Sequence, residues 1–264
     1  MNADATFLMG KTHTICEDYA IANGSEVFAY AIVSDGCSES SDVDIGARIL
    51  VKSTQEILLR CTPEDKHDDV DIFGIACIHK ANRVMDVMST LSRKALDATL
   101  LAAWVYDKKA TIVQHGDGVI IHKTKSELWV YHTNLVSGAP DYLSYHLDAT
   151  RMAAYTQSYM TPKITTTYLN GELLDTVNRL PFEPVIIQKP VEEGDIIAVI
   201  SDGIGTFTDQ NGSSIKWQDI IGEFIGFKTT CGQFVQRRIG AYMRKCNKEF
   251  ISHADDISMA TIIV

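Results

Sequence analysis

Ile196-Ile-Ala-Val-Ile-Ser-Asp-Gly203 is a run of apolar and β-branched residues that ends in an acid and a glycine. It predicts a buried strand that delivers Asp202 to a sheet edge, with Gly203 permitting a sharp exit. The phrase has a twin, Phe28-Ala-Tyr-Ala-Ile-Val-Ser-Asp-Gly36, so two strands each end in Ser-Asp-Gly. One Asp-Gly after a strand is an ordinary turn signal. This pair has company, however. Glu17-Asp18 precedes Tyr19-Ala-Ile-Ala22, Gly116-Asp117-Gly118 separates Ala110-Thr-Ile-Val113 from Val119-Ile-Ile121, and Asp255-Asp256 precedes the apolar run Ile257 to Val264. Each acidic spot falls at a predicted strand boundary.

Outward from these phrases, short strands are predicted at 5–9, 18–22 and 26–34, with Asn23-Gly24 as a hairpin turn. The period then becomes helical. Ile45, Ile49, Leu50, Ile57 and Leu58 predict a helix over about 43–60, and Phe73, Cys77, Ala81, Val84, Met88 and Leu91 a second one, with a charged loop from Pro63 to Asp69 between them. Four runs between Thr99 and Tyr131 read as an antiparallel meander whose turns are Asp107-Lys108-Lys109 and Gly116-Asp117-Gly118. Residues 133–190 are less regular and are expected to form a surface flap plus edge strands. Two helices, Trp217 to Phe227 and Phe234 to Cys246, and a closing strand 257–264 complete the chain. Strand runs interleaved with helix pairs, without βαβ alternation, predict an α+β layered domain spanning 1–264, with antiparallel sheets packed together and helices outside. No Gly-x-Gly-x-x-Gly follows a strand, which disfavours a dinucleotide fold.

With 34 acidic against 24 basic residues and a net charge of -10, the 264-residue chain has no surface suited to nucleic acid or an anionic membrane. Six cysteines carry no Cys-x-x-Cys pattern, and Cys77 and Cys246 fall on apolar helical faces as buried thiols of a reducing compartment. No signal peptide or membrane span is legible, so a cytoplasmic monomer is expected.

The acids carry the chemistry. Carboxylates gathered at one sheet edge repel one another unless a hard cation sits among them, and an oxygen shell suits Mg²⁺ or Mn²⁺. No serine elbow, catalytic cysteine loop or P-loop competes. Cys37 has no activating neighbour in sequence and is not expected to be a nucleophile.

The ordered set Glu17-Asp18, Ser34-Asp35-Gly36, Asp97-Ala-Thr99, Gly116-Asp117-Gly118, Ser201-Asp202-Gly203 and Asp255-Asp256-Ile-Ser258 resembles the metal-dependent protein phosphatase family, type 2C, along nearly the whole chain. The resemblance implies a central antiparallel β-sandwich flanked by helix pairs. It also implies hydrolysis of phosphoserine and phosphothreonine in protein substrates by a metal-bridging hydroxide, with two core ions and a weaker third. Asp35 matches the bridging acid, with Glu17 and the Gly36 carbonyl on one ion. Asp202 and Asp255 match ligands of the other, Asp117 a third site, and Asp18 and Asp256 positions that reach the ions through other ligands or through water. Where the family carries a phosphate-gripping arginine this chain has His13, with Lys11 nearby, and Cys37-Ser38-Glu39 replaces the usual continuation after the glycine. The alternatives are a catalytically degenerate relative that binds metal or partners, and a calcium-binding β-sandwich module.

Overall fold

The computed structural model describes residues 1–60, 70–88, 90–136 and 140–264. The strands are β1 (Asn2–Leu8), β2 (Tyr19–Gly24), β3 (Phe28–Ser34), β4 (Leu100–Tyr106), β5 (Lys109–His115), β6 (Gly118–Lys123), β7 (Leu128–Leu135), β8 (Lys163–Leu169), β9 (Glu172–Arg179), β10 (Val185–Pro190), β11 (Ile196–Ile200), β12 (Phe207–Thr208), β13 (Ser252–His253) and β14 (Ile257–Ile263). The helices are α1 (Val43–Arg60), α2 (Val70–Met85), α3 (Ala149–Ser158), α4 (Trp217–Ile225) and α5 (Phe234–Lys248). Two large antiparallel sheets form, in the orders β1-β14-β11-β6-β7-β8-β9 and β10-β5-β4-β3-β2.

Side-chain alternation builds four layers. On β3, Ala29, Ala31 and Val33 face the other sheet, while Tyr30 and Ile32 face α1 and α2. On β11, Ile197 and Val199 face inward, while Ala198 and Ile200 face α4 and α5. Both faces of each strand are therefore covered, which is why the two Ser-Asp-Gly phrases begin as unbroken apolar runs rather than alternating ones. Each Ile or Val so buried contributes about 1.5–3 kcal/mol. The result is an antiparallel β-sandwich flanked by helix pairs, as the sequence predicts.

Several local expectations change. Asn23-Gly24 is not the turn. It ends β2 in register with Tyr30 and Ala29, and the chain reverses over residues 25–27, where Ser25 Oγ accepts the Phe28 amide at 3.1 Å. The tight Asn-Gly hairpin is instead Asn170-Gly171, where both residues have positive φ (52° and 87°) and Leu169 pairs with Glu172. Asp107 and Lys108, at φ 46° and 55°, form a similar two-residue turn. The meander is interrupted, because β5 and β6 lie in different sheets and Gly116-Asp117 crosses between them. The second helix stops at Met85 rather than continuing to Leu91. The expected loop Pro63 to Asp69 lies outside the described residues. Strand β14 closes the chain but is interior to its sheet, between β1 and β11. No helix among the described residues is long and apolar enough to cross a membrane.

Candidate active site

The acids are delivered to one edge of the sandwich from both sheets. Asp35 leaves β3 and is pinned to Thr99, whose Oγ1 accepts the Asp35 amide at 3.1 Å and whose own amide donates to the Asp35 carbonyl at 2.8 Å. Gly36 bridges Ala98, and a Cβ there would lie 2.9 Å from Val43 Cβ and 3.0 Å from the Glu17 carbonyl, so this close approach needs glycine. Asp202 begins the short 3-10 turn Asp202–Gly205 after β11. A Cβ on Gly203 would meet the Asp256 carbonyl at 1.8 Å, which locks that turn against the start of β14. Asp117 sits on the crossover, where Gly116 and Gly118 supply φ of 87° and 127°. Asp18 precedes β2, and its Oδ2 accepts the Ser201 hydroxyl at 2.7 Å; Ser201 Oγ in turn accepts the Ser258 amide at 2.9 Å.

These four aspartates form a row in which Asp18 meets Asp35, Asp35 meets Asp202, and Asp202 meets Asp117 through carboxyl contacts. Burial pushes Asp18 up to about 7, against the hydrogen bond from Ser201 that favours its anion. Burial and then the Asp202 charge push Asp117 up to about 8. Asp35 is held well above the ordinary carboxyl range by burial and by the charges of Asp18 and Asp202. Asp255 is raised by burial and by Asp202. Among the described residues, the basic side chain within 4 Å of Glu17, Asp255 and Asp256 is His13.

Asp256 organises the rim. Its Oδ1 accepts the Gly10 amide at 2.6 Å and its Oδ2 the Glu17 amide at 2.5 Å, while Lys11 and Thr12 donate their amides to the carbonyls of His253 and Ala254. This lacing places His13 among Glu17, Asp255 and Asp256, at 3.6, 3.2 and 3.2 Å. The Lys11 residue is exposed. The predicted acids, Gly36 and His13 thus share one region, with Lys11 at its margin.

Two neighbours, Tyr142 and His132, and the partners of Asp97 escaped the sequence. Asp97, 3% exposed, is a joint: its carboxylate accepts Ser40 and Ser144 hydroxyls and Arg151 Nη2 at 2.8 Å, tying the loop after Gly36 to α3. The Arg151 guanidinium also lies 4.3 Å from the centre of the Tyr145 ring. Tyr142 lies beside the Cys37 thiol, and its phenol is raised by burial. His132 packs on Trp217 with ring centres 4.5 Å apart, and burial lowers it to about 4 against the pull of Asp202. Each belongs to a long-range contact that no local motif encodes.

The donor set fits divalent cations. Asp18 Oδ1, Asp202 Oδ1 and Glu17 Oε2 are buried without a hydrogen-bond partner, and unpartnered buried carboxylate oxygens need a countercharge. A row of carboxylates, rather than a single cup, suits ions about 3.5–4 Å apart.

A family model described as protein phosphatase 2C matches residues 10–224. The S. agalactiae serine/threonine phosphatase superposes with a TM-score of 0.58 at 14% identity, covering 99% of this chain and 98% of that one. The Mycobacterium tuberculosis serine/threonine phosphatase PstP/Ppp gives 0.53 at 13% identity over 98% and 96%. The catalytic domain of the phosphatase PstP in complex with two manganese ions gives 0.53 at 12% identity, again over 98% and 96%. At such identities these likenesses show the shared fold. No curated protein sequence matches the chain. From the family match, which takes in all the site residues but Asp255 and Asp256, the chain belongs to the protein phosphatase 2C family.

Proposed function

We propose that residues 1–264 form one phosphatase domain that hydrolyses phosphoserine and phosphothreonine in proteins with Mg²⁺ or Mn²⁺. The observation that carries this reading is the row Asp18, Asp35, Asp202 and Asp117, buried at Asp18 and Asp117 and half-buried at Asp35 and Asp202, which no lysine or arginine among the described residues neutralises. Asp35, Glu17 and the Gly36 carbonyl would hold one ion, Asp202 and Asp255 with Asp35 a second, and Asp117 a weaker third. When bound, such ions supply Lewis acidity and bring the pKa of water towards neutrality. The chain's own task is positioning. Ser201, itself held by the Ser258 amide, fixes the Asp18 carboxylate, and Thr99 fixes the Asp35 backbone, before substrate arrives, so little reorganisation remains for the reaction. A covalent phosphoenzyme is no part of this reading. At the rim, the exposed Lys11 is the cation best placed to meet a substrate phosphate. Within the stretch expected as a flap, 133–190, the buried Lys163 Nζ meets Asp141 at 2.7 Å, and this stretch would govern substrate choice.

A catalytically silent, metal-binding regulator is the second reading. It is favoured by the lack of an arginine at His13. Turnover of p-nitrophenyl phosphate separates the two: manganese-dependent release of p-nitrophenol, abolished by chelation, is expected. Tight Mn²⁺ binding without any turnover favours the silent reading.

A further inference from the structure

The ring of His13 is crowded by oxygens with which it makes too few bonds. Nδ1 lies 3.2 Å from Asp256 Oδ2 and 3.6 Å from Glu17 Oε2, and Nε2 lies 3.2 Å from Asp255 Oδ1. Yet Nδ1 and Glu17 Oε2 are both buried with no hydrogen-bond partner. A hydrogen-bonded pair aims donor at acceptor, so proximity without alignment means that the atoms point past one another. Ligands of a common cation do this. Neighbouring donors held about 2.1–2.3 Å from one ion sit roughly 3.0–3.6 Å apart, which is the spacing seen around Nδ1. His13, Glu17 and Asp256 each offer a ligand atom within 4.8 Å of the others. The lacing of Gly10 and Glu17 amides onto Asp256 fixes this trio from opposite ends of the chain. Beside it, Asp18 is 1% exposed and keeps an unpartnered Oδ1.

We propose that His13 is a metal ligand, its Nδ1 joining Glu17 Oε2 and Asp256 Oδ2 around one divalent ion. The proposal rests on reading the acid row as a metal centre, and it reassigns a residue whose sequence position pointed to phosphate. An imidazole donor changes the chemistry of the shell. Mg²⁺ prefers oxygen and gains little from nitrogen, whereas Mn²⁺, Fe²⁺ and Zn²⁺ accept imidazole readily. Asp255, against the other ring nitrogen, is placed to orient the ring, as carboxylates do for metal-bound histidines. This centre therefore selects a transition ion over Mg²⁺.

The test is pulsed electron paramagnetic resonance on the metal-free protein titrated with Mn²⁺, without substrate or turnover. The Mn²⁺ echo should carry a nitrogen modulation that changes when histidine is labelled with the heavy nitrogen isotope, a result that depends on no variant. It should vanish in His13→Asn and persist in His132→Gln. By equilibrium dialysis, His13→Asn should lower Mn²⁺ affinity about tenfold or more and change Mg²⁺ affinity much less. Bound Mn²⁺ with no histidine modulation in the parent protein overturns the ligation of His13 alone. Failure of Mn²⁺ to bind at all overturns the metal centre together with it.

Discussion

Asp18 and Asp117 make the metal-free protein sensitive to pH in a direction opposite to the usual one. Their folded values, about 7 and about 8, lie above the ordinary carboxyl value of 3.8, and Asp35 moves the same way. Between about pH 4 and pH 8 the folded chain thus keeps protons that the unfolded chain has released. More protons bound in the folded state means that stability falls as pH rises through this window. Bound cations require the deprotonated carboxylates, so with saturating Mn²⁺ the slope should flatten or reverse. Thermal unfolding from pH 4.5 to pH 8.5, with and without Mn²⁺, reads this directly. Asp18→Asn should remove much of the metal-free slope, and a metal-free protein that grows more stable towards pH 8 would contradict the buried acid row.

At the scale of elements, α1 is docked by backbone rather than by side chains alone. Gly46 lies where an added Cβ would be 1.6 Å from the Ala95 carbonyl, so the helix approaches the turn Arg93–Leu96 as closely as a backbone can. Gly46→Ala raises helix propensity by about 1 kcal/mol, yet it should destabilise the protein by roughly 2 kcal/mol or more, because the helix must back away from Ala95. The denaturant midpoint will show the sign, and a stabilised variant would mean that α1 is free to shift. The helix itself was legible from spacing, ending at Arg60 as predicted, because a buried stripe every three or four residues leaves a strong trace. The Asn-Gly dipeptide is no turn at residues 23–24 but is one at 170–171. A turn preference is local, whereas register there is set by β3 and β8, which no dipeptide reports. The acids at strand ends were legible since the phrase that makes a strand also ends it. Asp97 with Arg151, and His13 among its acids, were not legible, because their partners come from remote parts of the chain.

Across the whole molecule, the sandwich interior is lined by small residues, including Ala29, Ala31, Ala103, Ala110 and Ala260, which lets the two sheets lie close. That closeness is functional as well as structural, because Asp35 rides on one sheet and Asp202 on the other. Ala31→Leu should overpack the interior at a cost of about 1–3 kcal/mol. If about 1 kcal/mol of that strain reaches the edge, Mn²⁺ affinity measured by calorimetric titration should weaken about fivefold. A stability loss with unchanged Mn²⁺ affinity would uncouple the core from the metal centre. The central claim, that acids converging from both sheets support phosphoester hydrolysis, is tested most directly by phosphate release from a phosphothreonine peptide with saturating Mn²⁺. The parent should turn over, while Asp35→Asn and Asp202→Asn, folded by circular dichroism, should show no turnover above background. Activity in either variant within roughly threefold of the parent would contradict the account.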